Sequence, residues 1–230
     1  MNINHSLINW NLNQFNDIHN KAKTLILGSF NPNNLNPEEN TDFYYGRNTN
    51  HFWKSIARNL NLDINFFTNN IENKLEYMDK YEFTFYDLIN SIDFICNDEF
   101  SLNQYVNENI FTNYSDNELF RVRAINYNGE LIHKNLNFNY AILDLLQNKT
   151  LKKVIHTTGN NRITQNLIAN PVNQNLGFAP FINQIIETSN ENGILFVPIS
   201  YSPSQIAVNL GGELYMNNLD NWIRENVLNI

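Results

Sequence analysis

The chain has 230 residues, 42% of them hydrophobic and 13% aromatic, enough for one generous domain with a sizeable core, which excludes wholesale disorder. Its 23 acidic against 15 basic residues give a net charge of -8, which argues against gripping long nucleic acid by charge alone but permits a small footprint built on local cations. A mean hydropathy of -0.43, a polar start and a single cysteine, Cys96, predict a cytoplasmic chain with no membrane span, no signal peptide and no internal disulfide.

In chain order, four short apolar, β-branched or aromatic runs read as strands: Thr24 to Gly28, Phe83 to Leu88, Val154 to Thr158 and Ile194 to Ile199. Helical spacing lies between and after them. His51 to Leu60 sets Phe52, Ile56 and Leu60 on one face, with Lys54 and Arg58 elsewhere. Ile71 to Tyr81 and Tyr140 to Leu146 read as helices, and Glu213 to Val227 as a closing helix carrying Leu214, Leu219, Trp222 and Ile223. Arg121 to Tyr127 is a further strand candidate inside a segment, Asn97 to Asn139, that is otherwise hard to read. The 48 asparagines, about a fifth of the chain, favour turns and caps and should shorten elements. Strands alternating with helices imply an α/β fold with a mostly parallel sheet covered on both faces. No repeat, proline-rich linker or charge block divides residues 1–230, so a single domain is expected.

Open parallel sheets bind ligands beyond the carboxyl ends of their strands, which directs attention to the four strand tails. The first, LILGSFNP, has Gly28 for a sharp exit and Pro32 to hold the loop extended, leaving Asn31 at the sheet edge with Ser29 and Phe30. The segment DFYYGRNTNHFWKSI is richer. Its Tyr44 and Tyr45 suit stacking on a planar base, Arg47 suits a phosphate, and Asn50 is placed to cap the helix that begins near His51. Phe52 and Trp53 read as core anchors beside them. After the last strand, Ser200, Ser202 and Ser204 offer hydroxyls and backbone amides for a phosphate. His156 lies inside a strand, where a satisfied core or rim histidine is commoner than a base. The remaining histidines lack mutual ligand spacing, so no metal is predicted. Neither G-x-G-x-x-G nor a phosphate-loop motif occurs, and there is no G-x-S-x-G elbow for a serine nucleophile.

The ordered set LILGSFNP, FYYGRNTNHFWKSI, FTFYDLINSI, VIHTTGNN and LFVPISYSPS resembles the uracil-DNA glycosylase superfamily, in particular its mismatch-specific and hypoxanthine-type branches. The matched stretches run from about Leu25 to Ala207, and residues 97–148 match nothing and form a possible insertion. The resemblance implies a three-layer α/β/α sandwich around a four-stranded sheet. It also implies a monomeric, monofunctional enzyme without cofactor, whose partner is DNA carrying a damaged, deaminated or modified base. That base is flipped from the stack and cut from its sugar. Asn31 matches the residue that positions water in the first loop, and Asn50 the asparagine of the Asn-x-Phe-Trp segment. One extra residue between Gly28 and Asn31 leaves the choice between them open. Phe30, Tyr44, Tyr45, His51 and Asp87 are candidates to hold the base, and Ser29, Arg47, Ser200, Ser202, Ser204 and Arg162 to hold the backbone. The last loop lacks the histidine of the fast uracil-specific members. Two alternatives stand beside this reading: a narrow glycosylase for hypermodified, phage-type bases, and a catalytically inert nucleic-acid-binding module of the same fold.

Overall fold

The computed structural model describes residues 1–7, 13–33, 43–108, 113–120, 124–159 and 179–230. A short strand β1 (Asn2–Asn4) leads to helix α1 (Asn13–Lys21) and strand β2 (Thr24–Gly28). Helices α2 (Phe52–Asn59) and α3 (Ile71–Lys80) precede β3 (Phe83–Asp87), which continues through Leu88 into β4 (Ile89–Ile95). Next come helices α4 (Glu99–Asn107) and α5 (Asp116–Phe120), the hairpin of β5 (Ile125–Tyr127) and β6 (Glu130–Phe138), and the short helix α6 (Ala141–Leu145). The described chain ends with β7 (Lys153–His156), α7 (Ala179–Glu191), β8 (Leu195–Phe196), α8 (Gln205–Ile223) and a π-helical turn at Arg224–Leu228.

The fold is mixed α/β, and its four-stranded sheet is parallel throughout, in the order β3-β2-β7-β8. Strand β2 lies between two partners and is buried at all five positions, which is why it reads as an unbroken apolar run. Successive side chains of a strand point to opposite faces. Leu25 and Leu27 accordingly join one apolar core, while Ile26 joins the other with Phe83 and Phe85 of β3. The second core is closed by Phe52, Trp53 and Ile56 of α2, Leu75 and Met78 of α3, and Leu219, Trp222 and Ile223 of α8. The first core is closed by α4, α6 and α7 and by strands outside the parallel sheet.

Those strands form a second sheet that the sequence reading did not contain, antiparallel and ordered β1-β4-β6-β5. Two of its strands, β5 and β6, lie in the segment that resisted reading, together with helices α4 and α5. Of the expected strand at 121–127, β5 covers residues 125–127, and residues 121–123 lie outside the described ones. The expected strand at 194–199 is likewise only β8, because Pro198 has no amide hydrogen to extend the ladder. The closing helix starts eight residues before its expected position, at Gln205, with the Ser204 hydroxyl capping the Ala207 amide at 3.2 Å. The helix runs through the adjacent Gly211 and Gly212 with a kink at Gly212 (φ 62, ψ -155). No helix among the described residues is long and apolar enough to cross a membrane.

Candidate active site

At the carboxyl end of the parallel sheet the described residues enclose a cavity of about 680 Å³, within the usual size of small-ligand sites, about 300–1,000 Å³. Its wall is drawn from the tails of β2, β3 and β7, the aromatic loop before α2, the loop before α8, and the segment entering α5.

The exit of β2 is shaped by its register. Gly28 pairs with Asp87 of β3, and a Cβ at position 28 would stand 2.0 Å from the Asp87 Oδ1 and 2.9 Å from the Tyr45 hydroxyl. Only a glycine lets the carboxylate and the phenol approach so closely. The other Asp87 oxygen, Oδ2, lies 2.5 Å from Nε2 of His5, and both residues are buried. The Leu7 amide donates to His5 Nδ1 at 3.0 Å, so Nδ1 is the unprotonated nitrogen and Nε2 carries the proton given to Asp87. His5 was not anticipated. It arrives from just beyond β1, whose ladder on β4 and the Ser6 amide's bond to the Asn31 carbonyl (2.8 Å) carry it to the edge of the parallel sheet.

The first loop supplies Ser29, Phe30 and Asn31, all on the cavity wall. The Asn31 amide is held at both ends, donating through Nδ2 to the Ser6 hydroxyl and accepting at Oδ1 from Arg47 Nη2 at 2.5 Å. Phe30 sits between His5 (5.7 Å) and Tyr114 (5.9 Å). The aromatic loop brings in Tyr44, Tyr45, Arg47 and Asn50. Tyr44 stacks on Phe85 at 5.3 Å and Tyr45 on Phe52 at 4.9 Å, so one face of each ring already serves the core. Burial holds both phenols well above their ordinary pKa, with Asp87 adding to the effect; they stay neutral and can donate. Tyr45 meets the Thr157 hydroxyl at 2.7 Å and has a positive φ of 54. Asn50 lines the cavity and also accepts the Phe52 amide at 2.9 Å, a cap made from two residues before the start of α2, His51 occupying the N-cap position between them.

The last loop is more occupied than its residue types suggest. The Ser202 amide donates to the Tyr215 hydroxyl at 2.9 Å, and the Ser204 amide to the Ser202 hydroxyl at 3.4 Å. These amides are therefore engaged within the protein, contrary to the expectation that they stand free for a phosphate; α8 reaches back to hold the loop. Ser202 and Ser204 line the cavity. Ser200 is buried, and its hydroxyl accepts the Gly159 amide at 3.1 Å. That bond fixes the left-handed turn at Gly159 (φ 67), where a Cβ would lie 2.9 Å from that of Ser202. His51 stands behind the wall, bonded through Nε2 to Gln205 at 3.2 Å, and burial lowers its pKa. His156 is fully buried, stacked on Phe196 at 5.7 Å, and burial pulls its pKa down to about 4, as fits a neutral core histidine. Of the two cations expected to hold the backbone, Arg47 lines the cavity. Lys54 is tied to the Asn48 carbonyl at 2.5 Å, and Lys153 to the chain end at Asn226 and Asn229. Arg162 lies outside the described residues.

The contribution with no counterpart in the sequence reading comes from the unmatched insertion. Tyr114, Ser115 and Asp116 line the cavity, and the Ser29 hydroxyl donates to Asp116 Oδ1. Burial pushes the Asp116 carboxyl up to about 6; Asp87 raises it further, and the Ser29 bond pulls the other way. The site thus joins two carboxylates of different character. Asp87 is fixed by a histidine, while Asp116 is poised to hold or release a proton near neutrality. A capping-box spacing, Ser115 to Glu118, marks the start of α5 in the sequence but does not reveal where that helix docks. Among the described residues no group of three or more histidine, cysteine, aspartate or glutamate side chains is arranged to hold a metal ion. No family model, curated protein or solved structure matches the chain.

Proposed function

We propose that this protein is a monofunctional DNA glycosylase, cutting the N-glycosidic bond of a flipped damaged, deaminated or modified base by attack of water. The observation that carries the reading is the convergence of Asn31, Tyr44, Tyr45, Asn50, Asp87, Ser202 and Ser204 on one cavity at the carboxyl edge of a parallel sheet. An enzyme acting on a base needs such a pocket, with aromatic walls for the ring and polar groups for its edge. Bond cleavage develops positive charge on the sugar and negative charge on the base. Asn31, clamped between Ser6 and Arg47, has the fixed geometry suited to orienting a water molecule against the sugar. Arg47 supplies a cation for the flanking phosphate. Among the described residues no lysine lines the cavity, which favours water over a Schiff base as the nucleophile.

The test is a panel of duplex and single-stranded oligonucleotides bearing uracil, hypoxanthine, xanthine or modified cytosines, assayed for abasic product and for borohydride-trapped adduct. Abasic product without an adduct is expected, and no product from any base would refute the proposal. A second reading, a narrow glycosylase for hypermodified bases, is favoured by the insertion's place on the wall, since Tyr114 to Asp116 reshape the pocket. Exclusive activity on bulky modified cytosines would distinguish it.

A further inference from the structure

A glycosidic bond is difficult to break when the base must leave as an anion. The negative charge appears on the base, and a pocket holding two carboxylates opposes it unless one of them arrives protonated. The cavity has this composition. Asp87 accepts from His5 Nε2 on the β3 side, and Asp116 accepts from Ser29 on the α5 side. Among the described residues, the other charged or titratable groups on this wall and on the Asp116 helix are Tyr45, which is kept neutral, Arg47, whose Nη2 is directed to Asn31, and Glu118. Lys134 of β6, buried beneath that helix, donates to the Glu118 carbonyl at 3.4 Å and holds α5 in place.

We infer that Asp116, delivered by the insertion, is a catalytic acid that protonates the departing base. The inference rests on the glycosylase reading and deepens it. Geometry is its basis: Asp116 lies on the cavity wall beside the first loop and is anchored from behind. Its raised pKa, about 6, agrees with a group that is still partly protonated near neutral pH. In the step, the bond between the sugar carbon and the base nitrogen breaks with its electron pair going to the base. The carboxyl proton of Asp116 moves to the base, and water oxygen bonds to the sugar carbon. The proton released by that water returns to solvent, from which Asp116 is reprotonated. Atoms and charge balance as a hydrolysis, with the base leaving neutral. The device matters most for bases that are poor leaving groups and least for those already activated by an electron-withdrawing substituent.

Single-turnover rates are measured from pH 5 to 8.5 for wild type, Asp116→Asn and Ser29→Ala. The substrates are duplexes carrying the bases of the panel, with uracil and 5-fluorouracil as a matched pair. The wild-type rate on uracil should fall with rising pH above about 6. Asp116→Asn should lose that limb and slow by about 10²–10⁴-fold on uracil, with much less effect on 5-fluorouracil. Ser29→Ala removes the bond that restrains the carboxyl pKa and should move the limb to higher pH, a shift that damaged folding would not produce. An active wild type whose pH profile survives in Asp116→Asn, or an equal loss on both bases with no shift in Ser29→Ala, would overturn the role of Asp116 alone. No product from wild type on any base overturns the glycosylase reading, and the role of Asp116 with it.

Discussion

Replacing Gly28 by alanine tests whether the site is built on the register between β2 and β3. The added methyl would stand 2.0 Å from the Asp87 Oδ1, far inside contact distance. Relief is available in two ways. Asp87 can rotate away, losing the 2.5 Å bond to His5, a charge-assisted interaction of about 1.5–3 kcal/mol. Alternatively the two central strands can part, an overpacking cost of about 1–3 kcal/mol. The chain takes whichever is lower in energy, so Gly28→Ala should destabilise by about 1–3 kcal/mol, and at about 2–4 °C per kcal/mol for this size the melting point should fall by roughly 2–12 °C. Thermal melts followed by circular dichroism at pH 7.5 measure this directly. The diagnostic comparison is the same substitution made in Asp87→Ala. There the carboxylate is absent, only the Tyr45 hydroxyl remains close, and the added penalty should be well under half that in the wild type. A melting point within a degree of wild type, or an equal penalty with and without the carboxylate, would refute the close packing of Gly28 on Asp87.

Asn50→Ala should cost about 0.5–2 kcal/mol through loss of the bond to the Phe52 amide, read as a lower denaturation midpoint. Asn31→Ala loses its bonds to Ser6 and Arg47 and should cost about 1–3 kcal/mol, but should cut the proposed glycosylase turnover by orders of magnitude, which single-turnover kinetics and melts on the same preparation compare. Arg47→Glu should weaken DNA binding and flatten its salt dependence, measured by fluorescence anisotropy between 50 and 200 mM salt. Acid stability has a defined sign. His156 and His19 fold with pKa values near 4, lowered by burial from 6.5, so the unfolded chain binds more protons and stability should fall as pH drops from about 6.5 towards 4. Asp116, raised from 3.8 to about 6, acts in the opposite direction, its contribution being lost as pH rises through that window. Urea melts across this pH range should therefore show a shallower acid loss in His156→Gln and a steeper one in Asp116→Asn.

The parts of the fold that read correctly are those where one physical requirement dominates. Strand β2 is buried on both faces, so its five residues are apolar or small without interruption and its bounds match. Helix α2 packs Phe52 and Ile56 inward at helical spacing. Strand β6 shows why the second sheet stayed hidden. Its alternation is real, but Lys134 occupies a buried position at 2% exposure while Leu131 is 55% exposed, so the polar and apolar letters mislead. Strand β1 has only Ile3 facing inward, too little pattern for a three-residue strand. The site was legible to the same extent. Loops leaving the parallel strands lie where the rule about carboxyl ends puts them, and most of the residues expected there line the cavity. His5 and Asp116 come from outside that sheet, one from the chain start and one from the insertion, and no spacing within the parallel strands points to either.

Helix α8 has two halves with different attachments. Beyond Gly212 it is rooted in the core by Leu219, Trp222 and Ile223; before it, Gln205 and Ile206 form part of the cavity rim. The joint between them is a backbone angle reserved for glycine, at a position where a side chain would touch nothing within 4 Å. For protein engineering this makes Gly212 a remote adjustment screw. A replacement there changes the aim of the rim half, Gln205 and Ile206 with it, through backbone torsion alone and without substituting any residue on the cavity wall. Libraries meant to alter what the cavity admits should therefore include this joint along with the wall.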